Sequence, residues 1–283
     1  MSTRLIRSKP AKKTRKPVQA EEEFKPDEIP QKTGITIEVS GEMDMGKTHF
    51  ARTAPNPLFL DTEAKAYIVL KKFPPCPWKR VETFADIRNG VKWAIENPEI
   101  ETVVIDSGSD VRDLAAQEWC NEMGKERVWP RVLWAQVYEK VDWIPKALEK
   151  AGKNLIVTAR MKDEWIGDTS TGRRLADSYK RWPWALQMAI TIQNGIRDGS
   201  KVYFKEHKFA KVRKNNHWGI DERTLLNYQK PYVFDVSWDG VLNEMLKPWG
   251  DGVPIGKELE TVIKEAEEWL MERGARFRKP SPR

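Results

Sequence analysis

The stretch "GEMDMGKTHF", residues 41–50, follows directly on the apolar run "ITIEV". It has the form G-x-x-x-x-G-K-[ST], with Gly41, Gly46, Lys47 and Thr48 at the fixed places. This pattern carries weight when a strand enters the loop and a helix leaves it, and both are expected here. Glycines let the backbone curl so that successive N–H groups point inward at phosphate oxygens. The start of the following helix adds partial positive charge. Gly41, Glu42, Met43, Asp44, Met45, Gly46, Lys47, Thr48 and His49 are therefore the candidate nucleotide cradle. In that reading Lys47 reaches the β and γ phosphates, and the Thr48 hydroxyl ligates Mg²⁺.

The flanking pattern sets the fold class. "ITIEVS", "NPLFLD", "ETVVIDS" and "KNLIVTAR" read as strands. Between them, residues 84–96 carry Phe84, Ile87, Val91 and Ile95 at helical spacing, and residues 109–123 read as a helix. Residues 134–150 form another, with Val137, Val141, Ile144 and Leu148 on one face, and Pro145 marks a kink or a break. Alternating strands and helices predict an α/β fold: a mostly parallel sheet covered by helices on both faces. Residues 161–182 are polar and aperiodic and read as a long loop or a mobile hairpin. Residues 187–207 read as two strands around "RDGS", an Asp-Gly hairpin signal, and "FAKVRKNN" reads as a candidate for another strand. This is the expected antiparallel C-terminal extension. Residues 258–272 form an amphipathic terminal helix.

The domain reading is an arm over 1–32, a core over 33–250, and a C-terminal helix with a basic tail over 251–283. The arm opens with seven Lys/Arg and no acid in its first 17 residues, then turns acidic. Neither half has the period of a core. The net charge of +7 favours a polyanionic partner. Two cysteines without a CxxC spacing, Cys76 and Cys120, argue against a disulfide framework or a zinc site and fit a reducing cytoplasm. Three histidines offer no metal triad. No run approaches the length of a membrane span, so no membrane partner is expected.

Two acids complete the chemistry. Asp106 ends an apolar strand, where it can hold Mg²⁺ directly or through water. Glu63 follows the second strand, and a carboxylate at that edge of a parallel sheet lies beside the cradle. Glu63 is the candidate base that activates water.

Taken in order, these stretches resemble the RecA-like P-loop ATPase core, and more narrowly the phage and archaeal-virus ATPases of that superfamily that act as single-strand annealing proteins. "GEMDMGKT" is similar to Walker A. "LFLDTEAKA" is similar to the segment carrying the catalytic glutamate, here Glu63. "TVVIDSGSD" is similar to Walker B, with Asp106 on the metal. "LIVTARMK" resembles the strand whose end carries a γ-phosphate sensor, here Thr158 or Arg160. "AKVRKNN" resembles a late strand whose lysines reach a neighbour's nucleotide, a place Lys214 fits and Asn216 does not.

The resemblance implies ATP and Mg²⁺ as cofactors, single-stranded DNA as partner, a role in DNA recombination, and a homo-oligomer, ring or filament. It also implies two DNA-facing loops. Residues 124–134 supply Lys125, Arg127, Trp129, Arg131 and Trp134; residues 161–182 supply Trp165, Arg173, Arg174, Lys180, Arg181 and Trp182. Cations that track a backbone and rings that stack on bases suit sequence-independent strand binding. A helicase or DNA-packaging motor, or a nucleotide-gated scaffold with little turnover, are the alternatives.

Overall fold

The computed structural model describes residues 34–198, 200–216, 232–246 and 259–275. The expected N-terminal arm, His217, the segment 247–258 and the last eight residues lie outside the described residues.

The chain runs β1 (Thr36–Gly41), α1 (Lys47–Arg52), β2 (Pro57–Asp61), α2 (Ala66–Leu70), β3 (Trp78–Arg80), α3 (Phe84–Glu96), β4 (Thr102–Asp106) and α4 (Val111–Met123). A 3₁₀ turn over Arg131–Leu133 leads into α5 (Trp134–Lys150), β5 (Asn154–Ile166), β6 (Thr169–Asp177) and α6 (Trp182–Ala185). Then come β7 (Met188–Asp198), β8 (Lys201–Asn215), β9 (Tyr232–Val233), α7 (Trp238–Met245) and α8 (Leu259–Glu272).

The strands form one sheet in the order β3-β2-β4-β5-β1-β7-β8-β9, with β6 paired to the outer half of β5. From β3 to β7 all neighbours are parallel; β8 and β9 add antiparallel pairs. The mostly parallel α/β fold with an antiparallel extension is therefore present.

The inner strands are apolar on both faces because helices cover both. Leu58, Leu60, Val103, Ile105, Leu155 and Val157 turn to one side and pack with α3, α4 and α5. Their alternates Phe59, Val104 and Ile156, with Ile37 and Val39 of β1, turn to the other and pack with α1 and α7. α3 starts at a capping box, in which Thr83 accepts from the Asp86 N–H and the Asp86 carboxylate accepts from the Thr83 N–H. The expected stripe Val137, Val141, Ile144 and Leu148 is fully buried. Pro145 lies inside α5, which continues through it to Lys150.

Of the two readings of residues 161–182, the hairpin is the one present. β5 runs on past the sheet to Ile166, turns at Gly167 (φ +61°), and returns antiparallel as β6. At the far end of the β7–β8 hairpin, Ile196 and Phe209 pack against Val262, Ala266 and Leu270 of α8. The terminal helix thus docks on its own chain.

Candidate functional site: a phosphate cradle beside two strand-end acids

β5 lies between β1 and β4, and that insertion composes the site. Val39 of β1 is level with Thr158 of β5, and Val157 is level with Ile105 of β4. The cradle, Thr158 and Asp106 thus meet at one edge of the sheet.

The loop between β1 and α1 needs its glycines where the motif puts them. Gly46 adopts φ +95° as the residue before α1, a conformation that L side chains rarely take. A Cβ on Gly41 would lie 2.8 Å from the Ile192 carbonyl oxygen of β7. Asp44 also takes a positive φ, +61°. Lys47 turns back over the loop and donates to the carbonyls of Gly41 (2.8 Å) and Glu42 (2.9 Å). Burial lowers its pKa, against the opposing pull of Asp106, Glu63, Glu42 and Asp44.

Asp106 is buried and accepts from two hydroxyls: Thr48 at 2.7 Å on one oxygen, Thr158 at 2.5 Å on the other. Burial raises its pKa, the two hydroxyls lower it, and the charges of Asp61 and Glu63 raise it again. One carboxylate and one hydroxyl are hard donors of the kind Mg²⁺ takes when it binds with a phosphate substrate, whose oxygens would complete the set, rather than in an all-protein cage. The donor set fits the ion.

Glu63 is half-buried beside this pair, and its charge acts on both Lys47 and Asp106. Asp61 holds its segment: fully buried, it accepts from the N–H groups of Glu63 and Ala66 and from the indole of Trp78. Arg160 approaches Glu63 at 3.7 Å and pairs with Asp110 at 2.6 Å. Of the two sensor candidates, Thr158 touches Asp106 and Arg160 stands next to Glu63.

Residues 33–198 match the AAA domain family. The chain belongs to that family. It is accordingly an AAA-type P-loop ATPase, and nucleotide binding comes with the family. No curated protein matches the chain. The matched segment ends with β7, so β8 and everything after it lie beyond it.

That outer strand carries Lys214, the candidate for reaching a neighbour's nucleotide. Lys214 is buried, and its ammonium donates to the Leu186 carbonyl of its own chain at 2.5 Å. That bond engages the ammonium within its own chain. The lysine of β8 that meets the AAA-domain cradle is Lys208, whose ammonium donates to the Asp44 carbonyl at 2.8 Å. The sequence does not single it out, because strand parity alone does not tell which lysine of β8 faces the loop.

The expected strand-binding residues divide. Trp129 and Trp165 are largely exposed, with the Arg127 guanidinium 5.7 Å from the Trp129 ring. Lys125 lies over Trp119, and Arg173 and Lys180 are exposed. Arg174 pairs with Asp163 at 3.1 Å and with Glu42 of the cradle at 3.2 Å, joining the β5–β6 hairpin to the loop. Arg181 pairs with Asp142. Trp182 is a correction: it is fully buried against Tyr179 and belongs to the core. Among the described residues, no helix is long and apolar enough to cross a membrane.

Proposed function

We propose that this AAA-domain protein binds and hydrolyses ATP with Mg²⁺ and binds single-stranded DNA, as a protein of recombinase or single-strand-annealing type working as a homo-oligomer. The observation that carries the ATPase half is the convergence of Lys47, Thr48, Asp106 and Thr158 at one sheet edge with Glu63 beside them. Lys47 would leave its loop carbonyls for the β and γ phosphates. Thr48 and Asp106 would share the metal. Glu63 would take the proton of the attacking water, and Thr158 or Arg160 would register the γ phosphate.

The strand-binding half is supported by the exposed tryptophans 129 and 165 among arginines and lysines, and by a net charge of +7. Arg174, tied to Glu42, supplies a physical link through which a filled cradle would shift the hairpin. The domain limits proposed are a core to about residue 250 and a separate terminal helix.

Lys47→Ala should abolish hydrolysis in a coupled phosphate-release assay; turnover at the wild-type rate would remove the site assignment. Fluorescence anisotropy of labelled oligo-dT should show affinity falling steeply with salt, since each neutralised phosphate of a single strand contributes about 0.7 to the log–log slope. Affinity independent of salt would remove the nucleic-acid half and leave the ATPase half standing.

A further inference from the structure

Two basic-aromatic clusters that are far apart in sequence share one cavity. A cleft of about 490 Å³ is bounded by the first turn of α4, the 3₁₀ turn, the start of α5 and Arg181. None of its lining residues belongs to the phosphate cradle. Arg112, Arg131 and Arg181 line it together with Trp134, Tyr138 and Val132, and no Asp or Glu is among its lining residues.

The rings and cations are arranged together. Trp134 and Tyr138 lie 5.8 Å apart with a 34° tilt. Arg112 sits 5.9 Å from the Trp134 ring and Arg181 5.7 Å from the Tyr138 ring. Two of the cations are balanced from outside the lining, Arg112 by Asp113 at 2.7 Å and Arg181 by Asp142 at 2.9 Å. Among the described residues Arg131 has no carboxylate partner.

This combination selects a ligand class. A guanidinium fork matches phosphate oxygens in geometry as well as charge. Aromatic faces favour a planar ring. A phosphate alone would leave Trp134 and Tyr138 unused, and an apolar ligand would leave Arg131 without a counter-charge. A nucleotide offers both parts, and its base can enter a side cleft only when it is unstacked, as in a single strand.

We propose that this cleft takes one nucleotide of a bound single strand, with its base against Trp134 and Tyr138 and its phosphates on Arg112, Arg131 and Arg181. The inference rests on the strand-binding reading above and adds to it a discrete base site built from α4 and α5. It brings in Arg112 and Tyr138, which no sequence cluster contains.

The test uses the full chain and anisotropy of labelled 20-mers, oligo-dT and an abasic strand of the same length. Arg112→Ala/Arg131→Ala should weaken oligo-dT binding about tenfold and flatten the salt slope by about 1.4, at 0.7 for each phosphate no longer neutralised. Trp134→Leu should weaken oligo-dT binding by about fivefold or more and leave the abasic strand unchanged, with Trp134→Phe restoring much of the affinity. A thermal melt of each variant checks the fold, and the Phe variant separates stacking from packing. No oligo-dT binding by the wild type would overturn both the inference and the strand-binding reading. Wild-type binding that persists in the arginine and tryptophan variants would overturn the inference alone. So would equal weakening on both strands, or displacement of oligo-dT by poly-glutamate or dTMP at equal concentration of binding units.

Discussion

Replacing Thr158 by Val exchanges one buried hydroxyl for a methyl of similar size, where β5 separates the cradle strand from Asp106. Thr158 is fully buried and donates to Asp106 at 2.5 Å. A hydrogen bond to a charged acceptor contributes about 1.5–3 kcal/mol, and the added methyl returns up to ~0.8 kcal/mol of apolar burial. The net loss is about 1–2 kcal/mol, which in a domain of this size lowers Tm by about 2–8 °C. The sign with pH follows from Asp106. Burial holds its folded pKa above the ordinary 3.8, so the folded state binds that proton more tightly, and the group's contribution to stability falls as pH rises from the unfolded value through the folded one. The Thr158 hydroxyl favours the ionised form, so removing it raises the folded pKa further. The deficit of the variant is therefore complete above the folded pKa and shrinks as pH falls through it. Scanning calorimetry of the ligand-free protein between about pH 4 and about pH 9 would follow this directly, with Thr158→Ser as the rescue. Identical melting at every pH, or a deficit that grows in acid, would refute the hydrogen bond as the stabilising element.

Glu63→Gln keeps the shape beside Lys47 but cannot accept a proton. Hydrolysis should fall about 10²- to 10⁴-fold while ATP affinity holds, read by single-turnover kinetics and equilibrium binding; retained turnover would move the base elsewhere. Lys208→Ala frees the Asp44 carbonyl and loosens the cradle. Nucleotide affinity should weaken by about 0.5–1.5 kcal/mol, two- to tenfold, in isothermal titration, and an unchanged Kd would mean the cradle keeps its shape unaided.

Local period and fixed spacing are what the sequence makes legible. α3 and α5 occupy the residues their apolar stripes demand, and the strands before the cradle and before Asp106 lie where apolar runs meet turn signals. The β5–β6 hairpin is left open in the sequence between a loop and a hairpin because its outer arm buries neither face, so no alternation of apolar and polar residues records the strands. Trp182 misleads in the opposite direction. Its basic neighbours Lys180 and Arg181 are exposed while the indole beside them turns into the core, and a cluster read as linear composition cannot show that division.

The contacts of β8 are the least legible part, and they reach the cradle strand and its loop. The register between β7 and β8 shifts so that Ala189 faces Lys214 and Ile190 faces Val212, leaving Arg213 as the extra residue. That bulge turns Arg213 toward Glu38, a carboxylate with no exposed surface in the middle of β1 that also accepts from Ser178 at 3.0 Å. A carboxylate buried in a sheet covered on both faces requires a partner, and nothing in "ITIEV" names the one Glu38 takes. The partner comes from two strands away, across β7. The same β8 sends Lys208 to Asp44. An ion pair thus reaches β1 and an ammonium reaches its loop, and both contacts originate beyond the segment that matches the AAA domain. A motif specifies which atoms meet the phosphates; in this chain contacts to β1 and to its loop also come from a strand the motif does not contain, and the Lys208→Ala titration tests whether they hold the cradle in shape.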